Sequence, residues 1–221
     1  MTNRIFLWLA WLPVLLSGCA STLNTQVSRF HAWSPELAQS SFAFVRPVDP
    51  SRELEQASYE AAVAAELQRL GLQRAGPGQS ARIQVDMSIS AQVDSRPYMR
   101  PLYQDVPVFR PAWRDAAGRL HPAHWGPDPF GPRLVGHQQL VAAVQVSTLR
   151  LRLLDAAGPN PAQPLRTVFE STARHEADGS LPLAQIAPWL VRSVFVDFPG
   201  QNGQVSTVRF DTQTGEVVRP R

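Results

Sequence analysis

The chain has 221 residues, of which 44% are hydrophobic and 9% aromatic. That is enough apolar side chain for one core, too much for a wholly disordered chain, and too short a chain for two full domains. All 21 basic residues are arginine and face 18 acids, a near-balance that lacks the strongly basic character of a nucleic-acid binder. Twenty prolines in 221 residues are nearly double the usual share and predict a chain rich in loops.

Met1–Arg4 is a short positive segment followed by the apolar run Ile5–Leu16, the pattern of an export signal. Twelve residues are too few to span roughly 30 Å of hydrocarbon as a helix. Leu16-Ser17-Gly18-Cys19 resembles the bacterial lipobox, in which small residues admit a lipoprotein signal peptidase and the cysteine receives diacylglycerol. The expectation is a signal peptide over 1–18, recognised at Leu16, Ser17 and Gly18, and an acylated tether over 19–26 beginning at Cys19. Plain secretion with cleavage after Ala20 is the alternative. Cys19 is the one cysteine in the chain, so a disulfide framework is impossible. Ala20 rather than aspartate would follow the acylated residue, which by resemblance favours the outer membrane.

The polar tether 20–26 reaches at most about 25 Å. Residues 27–221 are expected to form a single α+β domain. Val27–Trp33 and Ser41–Arg46 read as short strands. Asp49-Pro50-Ser51 opens a helix that Gly71 stops, with Glu53 and Glu55 in its first turn and an apolar stripe at Tyr59, Val63, Leu67 and Leu70. Arg82–Asp94 alternates Ile83, Val85, Met87, Ile89, Ala91 and Val93 with polar residues, the signature of an antiparallel strand with one wet face. Gln138–Asp155 is a second long strand whose apolar parity switches, so a bulge is expected near Ser147. Leu165–Glu176 reads as its partner. A second helix follows Asp178-Gly179-Ser180, with Pro188 inside its apolar stripe, which predicts a kink or a shorter helix. The segment 204–219 reads as a terminal hairpin around Asp211–Gly215.

The predicted architecture is an antiparallel β-sheet with two helices packed on one face and a long loop insertion over 96–135. Between Arg96 and Arg133 eight prolines are interleaved with six arginines and six aromatic residues. A stretch of this length without periodicity is unusual in a compact domain. Its aromatic and arginine side chains are suited to anchoring a partner, a lipid headgroup or a sugar ring. The partner-binding candidates are Tyr103, Phe109, Trp113 and Trp125. A loop that merely covers the sheet is the bland alternative.

No catalytic residue is nominated. His121 and His124 suggest a metal, but cysteine and clustered carboxylates are lacking, so no metal site and no cofactor is assigned. Asp197-Phe198-Pro199-Gly200 reads as a helix end. The sequence contains no G-x-S-x-G, no P-loop and no H-E-x-x-H.

Phe30-His31-Ala32-Trp33, the passage Leu67–Gly71 into Ala81–Val85, and Phe198-Pro199 together resemble the bacterial lipoprotein family known as domain of unknown function 4136, over about residues 27–200. The resemblance brings no catalytic residue. The expected function is that of a membrane-anchored periplasmic lipoprotein, a non-enzymatic binding or accessory module of the cell envelope. Its expected contacts are the membrane, through N-terminal acyl chains, and an envelope protein or component, without nucleic acid. The alternative is a periplasmic hydrolase or metal-dependent enzyme.

Overall fold

The computed structural model describes residues 22–45, 50–76, 78–156 and 165–218. The expected signal peptide and Cys19 lie outside the described residues, as does the helix cap expected at Asp49. Two compact units emerge: Met1–Gln92 with Gln145–Arg221, and Val93–Val144.

In the first unit the strands are β1 (Thr22–His31), β2 (Ser41–Phe44), β3 (Gln73–Arg74), β10 (Arg166–Asp178) and β11 (Gln204–Asp211), with the helices α1 (Glu53–Arg69) and α2 (Leu183–Phe195). The two long strands β4 (Ile83–Gln104) and β9 (Arg133–Asp155) belong to both units. Seven strands form one sheet in the order β11, β1, β10, β9, β4, β2, β3. The fold is therefore mixed α+β, with two helices and a large, mostly antiparallel sheet.

β1 runs antiparallel to both β10 and β11. β2 runs parallel to β3 and to β4, which corrects the expectation of a purely antiparallel sheet. The cause lies in the connection. The chain leaves β2 and returns to β3 through the 17-residue helix α1, and a crossover of that length brings the next strand back in the same direction. The alternation of Arg82–Asp94 reports only that one face is wet, and says nothing of the neighbour's direction.

Side-chain period decides what enters the core. In β1, Leu23, Thr25, Val27 and Arg29 are buried at every second position. In β4, Ile83, Val85, Met87 and Ile89 do the same, while Ala91 and Val93 are exposed although the sequence continues the pattern. In β9 the four consecutive residues Val144–Ser147 are buried, after which Leu149, Leu151 and Leu153 carry the inward face. The parity switch thus falls where the sequence places it. Tyr59, Val63 and Leu67 of α1 and Ile186, Leu190 and Val194 of α2 form one cluster with Leu23 and Val27 of β1, with the four buried residues of β4, and with Leu149, Leu151 and Leu153 of β9. A fully buried leucine or phenylalanine contributes about 1.5–3 kcal/mol, so this cluster is the principal source of stability.

Three local differences from the sequence reading are informative. β1 begins at Thr22, so the polar residues 22–26, read as tether, pair with β11 from Thr22↔Asp211 onward. Short polar residues that look like a linker here fill alternate positions of a strand. α2 continues through Pro188, the sixth residue of the helix, where the missing N–H affects only the carbonyl of Ala184 near the helix start. The expected loop over 96–135 is largely strand: β4 runs to Gln104, β9 starts at Arg133, and short strands lie between them. Proline at an edge or in a two-stranded hairpin costs no ladder bond, so proline density did not mark a loop.

Candidate functional site

In the second unit the four short strands are β5 (Val108–Arg110), β6 (Trp113–Arg114), β7 (Leu120–His121) and β8 (His124–Gly126). β5 pairs antiparallel with β8, placing Phe109 opposite Trp125, and β6 pairs with β7, placing Trp113 opposite His121. The rings follow the register. Phe109 and Trp125 meet edge to face with centroids 5.5 Å apart, and Trp113 stacks on His121 at 4.3 Å with an interplanar angle of 8°.

Two aspartates build the turns. Asp115 Oδ1 accepts the backbone N–H groups of Ala117 and Arg119 at 3.0 and 2.9 Å, and Oδ2 lies 3.2 Å from His121 Nε2. The bond from the Arg119 backbone, then that from His121, holds this carboxyl below the usual carboxylate range. Asp128 accepts the Phe130 N–H at 3.1 Å and the Arg133 guanidinium at 2.7 Å, and these two bonds depress its pKa in the same order. Gly118 and Gly131 supply the positive φ that each turn requires. Both aspartates are thus committed to backbone, which is the Asx-turn use of this residue.

Of the residues predicted to bind a partner, Phe109 and Trp125 form one pair and Trp113 joins His121, while Tyr103 lies near the end of β4. All four are more than half exposed, Trp125 at 68%. Within 93–144 only Gly126 and Val144 are buried. The second unit therefore displays aromatic side chains without covering them with a core of its own. Arg110 donates to the Pro127 carbonyl at 3.1 Å and Arg114 to the Gly118 carbonyl at 2.8 Å, whereas Arg119 and Arg133 pair with the carboxylates of Asp115 and Asp128. Leu16, Ser17, Gly18 and Cys19 lie outside the described residues.

His121 and His124 do not converge. His121 faces Asp115, whereas His124 Nδ1 lies 3.2 Å from the Pro122 carbonyl. Among the described residues no group of three or more His, Cys, Asp or Glu is placed to hold a metal ion. His175 Nδ1 sits 2.7 Å from the Asn24 carbonyl.

Sequence reasoning missed Arg29. The residue is 5% exposed, and its guanidinium closes the C-terminus of α2, donating to the carbonyls of Ser193 at 2.7 Å, Val194 at 3.2 Å and Val196 at 3.2 Å, and to Ser206 Oγ at 3.2 Å. These carbonyls are among those a helix end leaves without intrahelical partners. Burial lowers the Arg29 pKa, opposed by the charge of Asp197. A signal was available: Arg29 is in phase with Leu23 and Val27, and an arginine on the inward parity of a strand must find acceptors. Arg29, Asp197, Gly200 and Ser206 line an open cleft of about 540 Å³. A smaller cleft of about 260 Å³ on the polar face of the sheet is lined by Asp86, Arg150, Arg152 and Glu170, where Arg152 pairs with Asp86.

A mixed α+β domain joined to a hairpin unit with bare aromatic side chains defines the class. The chain belongs to the family described as Domain of unknown function (DUF4136), whose model matches residues 26–200. No curated protein matches it in sequence. Among solved structures it is similar to a PDZ domain protein from Parabacteroides distasonis, with 12% identity and a TM-score of 0.46 over 86% of this chain. The chain spans 40% of that protein's length. It is also similar to a PelC dodecamer from Paraburkholderia phytofirmans, with 10% identity and a TM-score of 0.35, over 77% of this chain and 93% of the other. No helix among the described residues is long and apolar enough to cross a membrane.

Proposed function

We propose that this is a lipid-anchored binding or accessory module of the cell envelope, acylated at Cys19 and held at the periplasmic side of the outer membrane, with both helices covering a single face of its sheet. Its work is recognition rather than catalysis. The observation that carries the reading is the second unit, where Phe109, Trp113 and Trp125 stand exposed on paired strands and only two residues of 93–144 are buried. Exposed paired rings on a segment that also carries six arginines have the residue types enriched at interface centres. An anchor of several acyl chains, each buried CH₂ contributing about 0.8 kcal/mol, confines this surface to the layer next to the bilayer and raises its effective concentration there.

Two measurements test the reading. Cys19→Ser is expected to move the protein from the membrane to the soluble fraction of the envelope, and a mature wild-type polypeptide of unmodified mass would refute the anchor. Whole-cell crosslinking from the second unit is expected to trap an envelope component, and the trapped product should disappear when Phe109, Trp113 and Trp125 are replaced together by alanine. An unchanged pattern would remove this surface from the proposal.

A further inference from the structure

We propose that the cleft at the end of α2 binds a small zwitterion, an acidic oxyanion joined by a short link to a primary ammonium, with the oxyanion on Arg29 and the ammonium on Asp197. The cleft lies wholly in the first unit, so the proposal rests neither on the acyl anchor nor on the aromatic side chains of the second.

A guanidinium has five N–H groups. In Arg29, Nε bonds the Val194 carbonyl, Nη2 bonds those of Ser193 and Val196, and Nη1 bonds Ser206 Oγ. The second N–H of Nη1 has no acceptor among the described residues. The residue is 5% exposed and yet lines the cleft of about 540 Å³, so a ligand oxygen placed there can meet this donor. A buried donor without a partner carries a desolvation penalty that such an oxygen relieves. Gly200 keeps the approach open, since a Cβ at that position would come 3.2 Å from Nη1.

The opposite charge is beside it. Asp197 lines the same cleft, is exposed, and acts electrostatically on Arg29. Its φ is +55°, in the left-handed region that aspartate and asparagine tolerate better than other side chains. The segment that carries it is fixed from both sides. The Phe198 ring packs on Trp33 and Phe169 with centroids 5.0 and 4.8 Å away. His31 Nε2 lies 3.1 Å from the Gly200 carbonyl, and the Asn202 side chain bonds the His31 backbone N–H and carbonyl at 3.0 and 3.2 Å. Walls set in advance spare a ligand the entropy of ordering them.

The balance of charge selects the ligand class. A cation alone meets the guanidinium. An anion alone meets Asp197 and the partial negative charge of a helix C-terminus. An acyl chain or an aromatic ring finds one apolar side chain in the wall, that of Pro199. A molecule carrying both charges answers Arg29 and Asp197 together. Ser206 and the amides of Gln201 and Gln204 line the same space, and Gln204 stands opposite Arg29 in the ladder of β1 and β11, so further donors and acceptors are at hand. A free α-amino acid and the phosphoethanolamine headgroup of a lipid both have this chemistry.

The test is calorimetric titration of the full chain, purified in a mild non-ionic detergent, with alanine and with glycerophosphoethanolamine. At least one is expected to bind, and the one that does names the source. Acetate, phosphate and ethanolamine, which offer one kind of charge each, should bind at least about tenfold more weakly, the loss of one charge-assisted hydrogen bond. Asp197→Asn keeps a side chain suited to positive φ and removes the charge. It is expected to weaken the zwitterion at least about tenfold and to abolish its advantage over acetate or phosphate, with an unchanged circular dichroism spectrum. Gln204→Glu, at an exposed strand position, sets a competing carboxylate opposite Arg29 and should weaken the zwitterion about fivefold. No binding of either probe, an oxyanion bound as tightly as the zwitterion by the wild type, or wild-type affinity in Asp197→Asn overturns the proposal. Should that variant fail to fold, wild-type affinity in Gln204→Glu decides against it in the same way.

Discussion

Arg29 Nη2 donates to the Ser193 carbonyl at 2.7 Å, so an arginine on the first strand closes a helix 164 residues further along the chain. With the bonds to Val194 and Val196, one planar guanidinium serves three carbonyls that would otherwise be buried without donors. Arg29→Met keeps much of the stem but strands those acceptors. Hydrogen bonds from a charged donor are each worth more than neutral ones, and orphaned buried groups add their own desolvation cost. The expected loss is about 2–4 kcal/mol in a urea titration. Arg29→Lys should recover only part of it, because one ammonium cannot match the spread of a fork. A midpoint for Arg29→Met equal to that of wild type would refute the capping role.

Gly200 is packed against the same side chain. Its φ is +80°, and a Cβ there would come within 3.0 Å of Arg29 Cδ and 3.2 Å of Nη1. Gly118 has the same φ of +80° with open space around it. Gly118→Ala therefore meets the backbone term alone, about 1 kcal/mol, whereas Gly200→Ala adds crowding against a side chain that its bonds hold in place. Gly200→Ala should destabilise by at least about 1 kcal/mol more than Gly118→Ala, and that excess should shrink when Arg29→Met is present, as expected of residues in contact. Equal losses in the two glycine variants would show that the neighbouring arginine yields freely.

Period and punctuation were legible, and partnership was not. Ile83, Val85, Met87 and Ile89 announce their strand, Tyr59, Val63 and Leu67 their helix, and the parity switch between Val146 and Leu149 is visible in both sequence and burial. The direction of β2 could not be read, because direction belongs to the connection through α1 and not to Phe42 or Phe44 themselves. Thr22–Gln26 looked like tether because polar residues occupy the wet parity of a strand as readily as a linker. The aromatic candidates were legible as residue types, yet the pairing of Trp113 with His121 depends on the β6–β7 register, which prolines on either side conceal from any pattern of two. Arg29 illustrates the general difficulty: its parity was readable, but its acceptors lie on a helix that only the folded chain brings near.

Glu66 offers a test of burial against charge pairing. It is 8% exposed, and burial raises its pKa against the opposing pull of Arg69 and Arg192. Arg69 itself is 69% exposed, so the pair gains little from Coulomb attraction. A carboxyl whose folded pKa is raised contributes stability below its unfolded pKa and loses it as pH rises through the folded value. Glu66→Gln removes that ionisation. Thermal melts should place the variant at or above wild type at pH 7 and show the difference closing as pH falls below the ordinary carboxylate range. A wild type that remains more stable than Glu66→Gln at pH 7 would show that the ion pair outweighs burial.

The Phe109 and Trp125 pair measures how far the second unit stands by its own contacts. With only Gly126 and Val144 buried between 93 and 144, its strands have little to protect them except cross-strand rings and turn bonds. Two-stranded hairpins in water are marginal, so amides at 108–110 and 124–126 should exchange with solvent much faster than those of β1 and β10, which sit on the core. Phe109→Ala and Trp125→Ala should each accelerate exchange across that ladder. The double variant should fall short of additivity by about 0.5–1.5 kcal/mol, the usual coupling of an edge-to-face aromatic pair. The amides of β1 should not respond, because local opening of a hairpin does not require the core to open. If Trp125→Ala instead lowers the protection of β1 as much as Val27→Ala does, the hairpin opens only with the whole domain. The exposed rings would then be structural elements of one cooperative fold, and less available for a partner.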